Sequence, residues 1–266
     1  MNKNNLPIGV FDSGVGGLTV LQQLKKTLPN ENFIYFGDTA HVPYGNKSQE
    51  TIERYCLDIV SFLNNKNVKI IIIACNTASS IALNKIKRHI KTPILNVIDP
   101  CIEKAVNITQ NQAIGILGTK TTIDSKAYEQ KIKSINNNIT IYNQECSLFV
   151  PIIEESLIHH PIAMEAVKLY LGLLPDTIDT LILGCTHYPL IKNLIKNYIS
   201  SNIKILDSSI IMSKHVKKFL TLNKLLNSCS DNPKIKFYVS DDSVKFNKFM
   251  CRFTDDLKGI IKEVNL

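Results

Sequence analysis

An α/β fold of two pseudo-symmetric lobes, each a mostly parallel sheet flanked by helices with the active site in the cleft between them, is predicted by three features of the 266-residue chain. Short apolar runs rich in Ile and Val alternate with segments of helical periodicity. The runs are almost continuously apolar, as expected of parallel strands covered on both faces. The whole alternation also occurs twice.

The first set of strands is expected at 7–11 (PIGVF), 33–37 (FIYFG), 69–74 (KIIIIA) and 93–98 (PILNVI), and the second at 113–117, 139–142, 179–184 and 203–206. Leu18, Leu21, Leu24 and Leu28, then Ile52, Tyr55, Ile59 and Phe62, recur at helical spacing and mark helices between strands. The two sets align: Ile8-Gly9-Val10 with Ile114-Gly115-Ile116, Phe33 with Ile139, Val42-Pro43 with Val150-Pro151, Cys75 with Cys185, and Asp99 with Asp207, at offsets of 106 to 110. In-order matches at a nearly constant offset indicate internal duplication. Residues 98–104 and 206–209 are expected to carry the chain between lobes. The remainder, 210–266, reads as helical and then FYVSDDS, and must pack back on one lobe.

Hydrophobic residues make up 44% of the chain, enough for a sizeable core. The amino terminus, MNKNNLPIGVFD, has no signal-like apolar stretch, and no run reaches the roughly 18 apolar residues of a membrane helix. A soluble cytoplasmic protein is expected, with no membrane partner. The net charge is +8, but KKTL, KIKRH, KIK and KHVKK all fall within helical patterns, without an aromatic platform. They read as solvated faces, so nucleic acid is not expected as a main partner.

Seven cysteines stand at 56, 75, 101, 146, 185, 229 and 251, an odd number with no CxxC. This spacing excludes a disulfide framework or a zinc ribbon and points to reduced thiols. Two are distinctive. Cys75 in IIIACNTASS and Cys185 in LILGCTHYPL each come just past a strand, where a helix is expected to open. Sites in open parallel sheets form beyond the carboxyl ends of strands, and a helix N-terminus lowers a thiol pKa. Singly, each reads as a small core residue. Their equivalence under the repeat turns both sulfurs toward one cleft.

Two acid/base groups on opposite sides of a small ligand suit inversion of a carbon centre: one takes the α-proton, the other delivers a proton to the opposite face. A hydrolase would want one nucleophile, a base and an oxyanion hole. A redox dithiol would want sulfurs in bonding range. The remaining motifs suit an anion-binding cleft. Asp12 and Ser13 in FDSGVGGLTVL follow the first strand, with glycines permitting close backbone approach, yet the motif is neither G-x-G-x-x-G nor a P-loop. Tyr44-Gly45 in GDTAHVPYGNKS can line the cleft, and GTKTTIDS offers hydroxyls for a carboxylate. Asn76-Thr77 and Thr186-His187 follow the cysteines and point the same way. His159 and His160 are expected to be exposed. No histidine shows metal spacing and no lysine stands in a pyridoxal context, so neither a metal nor a cofactor is expected.

IGVFDSGVGGLTVL, YFGDTAHVPYGNKS, ACNTASS, IGILGTKTTIDS and LILGCTHYPL together resemble the glutamate racemases, cofactor-independent amino-acid racemases of bacterial cell-wall synthesis. The resemblance spans most of the chain and is loose over the last 50 residues, where only FYVSDD matches. It implies a first lobe of 1–97 plus 208–266 and a second of 98–207, with L-/D-glutamate bound between them. It further implies that Cys75 acts on the D-glutamate α-proton, supported by Asp12. Cys185 would act on that of L-glutamate, supported by His187 with Glu154. Substrate contacts would come from Asp12, Ser13, Tyr44, Gly45, Asn76, Thr77, Thr186 and His187, with Thr119 and Thr122 near the carboxylates. The family's Val-Pro-Leu-Val-Glu reads Val150-Pro151-Ile152-Ile153-Glu154 here, with Glu155 adjacent. Many members are homodimers, and a homodimer is expected. Aspartate-specific relatives typically carry Glu where His187 stands, so GCTHYP favours glutamate. A non-catalytic carboxylate-binding protein of the same fold would need neither thiol.

Overall fold

The computed structural model describes residues 3–227, 233–254 and 256–266; Cys229 lies outside them. Ten strands are found there: β1 (Ile8–Asp12), β2 (Phe33–Gly37), β3 (Ile70–Ile73), β4 (Ile94–Asn96), β5 (Ala113–Gly118), β6 (Thr140–Glu145), β7 (Thr180–Gly184), β8 (Lys204–Asp207), β9 (Ile235–Val239) and β10 (Ile260–Glu263). They form a six-stranded sheet, β10-β9-β2-β1-β3-β4, and a four-stranded sheet, β6-β5-β7-β8, parallel throughout. The order β2-β1-β3-β4 is repeated as β6-β5-β7-β8, so the duplication is one of topology. Central strands β1, β3 and β7 are buried at every residue, which is why they carry no polar alternation.

Strand pairing gives the register of the repeat. Ile8 pairs with Ile70 and Ile114 with Thr180, which superposes Cys75 on Cys185. Ile8 also pairs with Phe33, while Ile114 pairs with Ile141; the counterpart of Phe33 is therefore Ile141, not the expected Ile139. Ile73 pairs with Asn96 and Leu183 with Asp207, so Asp207 corresponds to Asn96 rather than Asp99. Both residues end a strand and cap the helix that follows. Asn96 Oδ1 accepts from the Ile98 and Asp99 amides, and Asp207 Oδ1 from those of Ser209 and Ile210. The matched Val-Pro pairs differ in local structure. Val42-Pro43 is a cis peptide in a loop, whereas Val150-Pro151 lies in the helix Phe149–Glu154.

The first expected connector is helical, and the second spans the end of β8 and the start of a helix. Residues 98–104 open the helix Ile98–Ile108, which tolerates Pro100 because the first turn needs no intrahelical N–H partner there. Residues 208 and 209 begin the helix Ser208–Leu222. These two helices pack on each other, and the second also packs on Leu18–Thr27. The carboxyl-terminal part returns to the six-stranded sheet: β9 pairs with β2, β10 with β9, and the helix Ser243–Phe253 lies between them in sequence. No helix among the described residues is long and apolar enough to cross a membrane.

Candidate active site

In each sheet the order reverses between the first and third strands of the unit, the position where open α/β sheets form ligand crevices. Asp12 ends β1 and Cys75 lies past β3, while Thr119 and Cys185 lie past β5 and β7. Both sulfurs line one cavity of about 350 Å³ between the two sheets, within the range of small-ligand sites. Ser13, Tyr44, Gly45, Asn76, Thr77, Thr119, Glu154, Thr186 and His187 line it too. Asp12 and Thr122 are fully buried behind the lining.

Cys75 caps the helix Asn76–Ile81. Its sulfur accepts from the Ala78 amide at 3.4 Å and donates to Ser13 Oγ at 3.5 Å. The expected lowering of this thiol by the helix terminus does not occur. Burial and then the Asp12 carboxylate push it up to about 12, against the Ala78 amide and Ser13. A six-residue helix offers too little dipole to offset complete desolvation. Burial also raises Asp12, against the opposing effects of His187, the Gly17 and Gly14 amides and Thr186. Asp12 Oδ2 accepts from the Gly14 amide and Oδ1 from the Thr186 hydroxyl.

Cys185 follows β7 directly but does not open an α-helix. A helix begun there would set the Pro189 ring against the Cys185 carbonyl, so 185–187 remain a turn and a short 3₁₀ segment starts at Tyr188. The turn leaves His187 free to fold back on Cys185, with Nδ1 3.7 Å from the sulfur and Nε2 3.1 Å from Glu154 Oε1. Burial disfavours the imidazolium, but the hydrogen bonds and charges of Cys185 and Glu154 outweigh it and push His187 up to about 10. Burial likewise opposes the Glu154 charge; His187 and Lys245 win and hold the carboxyl below its usual range. The neighbouring Glu155 is exposed at the rim and makes no such contact.

The walls meet through polar contacts. Thr77, Thr119 and Thr122 form a triangle of hydroxyls 3.0–3.1 Å apart, with Thr77 from one sheet's helices and the other two from the second. The Tyr128 hydroxyl donates to Asn76 Oδ1, while the buried Asn76 Nδ2 has no protein partner and stands available to a ligand acceptor. Thr121 donates to the Gly45 carbonyl and Thr19 to that of Thr186. Gly16 passes so close that a β-carbon would overlap the Thr186 hydroxyl and the His187 ring. That contact is the close approach for which the glycine-rich loop was suited.

Sequence reasoning did not find several groups. Lys120, Glu145, Cys146 and Ser147 also line the cavity. Cys146 carried a usable signal, since it too comes just past a strand end, that of β6. Asp38 was passed over inside GDTAHVPYGNKS. It is buried and accepts from Tyr44 at 2.5 Å and from Ser240 at 2.7 Å, with His41 Nδ1 at 2.8 Å, so it sets the loop that presents Tyr44. Among the described residues no cluster of His, Cys, Asp and Glu could hold a metal ion.

Comparison with known proteins agrees with this geometry. The sequence profile of the Asp/Glu/Hydantoin racemases matches residues 8–215. The chain belongs to the Asp/Glu/Hydantoin racemase family. Among curated members, it is similar to the glutamate racemase of Geobacter metallireducens, 42% identical over 260 residues, covering 97% of this chain and 96% of that one. Among solved structures of the family, it is similar to a Francisella tularensis glutamate racemase in complex with D-glutamate, with a TM-score of 0.92, 41% identity and 98% of each chain covered. A Bacillus anthracis glutamate racemase isoform superposes with a TM-score of 0.94 at 30% identity, over 99% of this chain and 98% of the other. As an Asp/Glu/Hydantoin racemase family member of this architecture, the chain is an amino-acid racemase by kinship, with its pair of cysteines at the repeated strand ends.

Proposed function

We propose that the protein is a cytoplasmic glutamate racemase working by two-cysteine proton transfer without a cofactor, and that it supplies D-glutamate for peptidoglycan. One observation carries the reading: two thiols from equivalent strand ends, one from each sheet, line one small cavity. The glutamate racemase names of its relatives, one of them bound to D-glutamate, support the substrate. We further propose a homodimer, with residues 1–97 plus 208–266, and 98–207, as the two lobes.

In this mechanism glutamate lies between the sulfurs. Its carboxylates take donors from Ser13, Asn76, Thr77, Thr119 and Thr186, with Tyr44-Gly45 closing one wall. Asp12 acts from behind Cys75, and Thr122 acts through Thr77 and Thr119. His187, held protonated, turns Nδ1 toward the Cys185 sulfur, whereas burial holds Cys75 as a thiol. In the L-to-D direction Cys185 is the base and Cys75 the acid. The Cys185 thiolate takes the α-proton, carbanion character develops at Cα, and the Cys75 thiol protonates the opposite face. Cys185 leaves the turnover as a thiol and Cys75 as a thiolate, ready for D-glutamate. Each acid/base step supplies about 10²–10⁴ in rate, so the donors around the carboxylates must stabilise the carbanion further.

The test is circular dichroism of L-glutamate with purified protein, reducing agent and no added cofactor, with L-aspartate run in parallel. Decay of the glutamate signal to zero is expected. A flat glutamate signal, or faster decay of aspartate, would reject the assignment.

A further inference from the structure

The helix Ser243–Phe253 belongs to the six-stranded sheet's side of the molecule, yet it reaches the acid/base machinery of the other side. Phe246 is fully buried against Tyr35 of β2 and Phe237 of β9, at centroid distances of 5.8 and 5.9 Å. The helix start is fixed by Asp242, whose carboxylate accepts from the Lys245 amide at 2.9 Å. From this anchored first turn the Lys245 ammonium lies 3.6 Å from Glu154 Oε2. Glu154 Oε1 meets His187. One turn on, Phe249 packs edge-on against the His187 ring, 6.2 Å between centroids at 73°.

The two oxygens of Glu154 thus have separate partners. Glu154 is only partly buried, so without Lys245 its carboxylate could swing toward water and release His187. Lys245 does not touch His187.

We propose that Lys245 is a positioning residue for the Cys185 side of the reaction, holding the Glu154 carboxylate against His187 from across the lobe boundary. The inference rests on the two-cysteine reading for its catalytic consequence but not for its geometry. Other titratable groups face the pair: Asp12 and Cys185 around His187, and Glu155, Asp242, Lys248 and Arg252 around the outer hollow beside Glu154.

The sign of the effect separates positioning from plain electrostatics. Removing a nearby cation raises a histidine pKa by Coulomb's law. Removing the group that holds the histidine's carboxylate partner lowers it. The experiment is an NMR titration of carbon-13-labelled histidine in the parent, Lys245→Met and Lys245→Arg, with His187→Asn for assignment. Racemisation is measured on the same samples against pH. For Lys245→Met the His187 midpoint is expected to fall, kcat to drop roughly two- to fivefold as for a partly exposed ion pair, and KM to change little. Lys245→Arg should recover most of both. A midpoint that stays or rises in Lys245→Met overturns the proposal whatever the activity. So does a falling midpoint that racemisation does not follow. A parent that leaves glutamate untouched rejects the glutamate reading instead, and the titration still decides the role of Lys245.

Discussion

Cys75 and Cys185 occupy the same place in two copies of one topology, yet their surroundings differ in kind. Cys75 sits at a true helix start, touching a hydroxyl and an amide, with the buried Asp12 behind it. Cys185 sits in a proline-limited turn, touching a histidine braced by a carboxylate. The repeated strands position two sulfurs equivalently, but the groups that contact them come from loops and helices where the copies have diverged. A racemase profits from this asymmetry. In the proposed two-cysteine reaction one sulfur enters a turnover as the base and the other as the acid, and the two exchange roles for the opposite enantiomer.

The largest way to break the comparison is to remove either sulfur. Cys75→Ser and Cys185→Ser are each expected to lower kcat for racemisation by about 10²–10⁴, measured by circular dichroism in both directions. Near-normal turnover in either variant would end the two-base account.

Replacing His187 acts mainly on the Cys185 side. His187→Asn should cost less than loss of Cys185. The parent pH–rate profile should fall on its alkaline side near the His187 value of about 10, and the variant should lose that limb. The same group links to stability. Its folded pKa is raised above 6.5, so its contribution is fully present below about pH 6.5 and is lost as pH rises through about 10. Urea denaturation should show the gap between parent and His187→Asn closing over that window. The smallest effect belongs to Asp12, whose charge helps to raise Cys75. Asp12→Asn should move the pH midpoint of Cys75 alkylation below about 12, with Cys185 alkylation much less affected. Mass spectrometry of the labelled peptides separates the two.

The sheets were legible because their strands are buried on both faces and so read as apolar runs. β10, by contrast, lies at a sheet edge with three of its four residues exposed, and its two isoleucines make too short an apolar run to read as a strand. Residues 98–104 read as a connector, yet Pro is admissible in a first helical turn, and Asn96 supplies the cap that a search for matching aspartates overlooks. The cysteines, threonines and His187–Glu154 were legible as motifs and from family resemblance. The state of the Cys75 thiol was not, because complete burial is a property of the packed molecule and here outweighs the helix terminus. Asp38 and Lys245 escaped for the same reason, since both act through partners distant in sequence.

The central claim is that each sulfur serves one enantiomer, and α-proton exchange in deuterium oxide tests it most directly. Cys75→Ser is expected to wash deuterium into L-glutamate but not D-glutamate, and Cys185→Ser into D-glutamate but not L-glutamate, with little racemisation in either. Exchange of both enantiomers by a single variant, or the opposite pairing, would contradict the account.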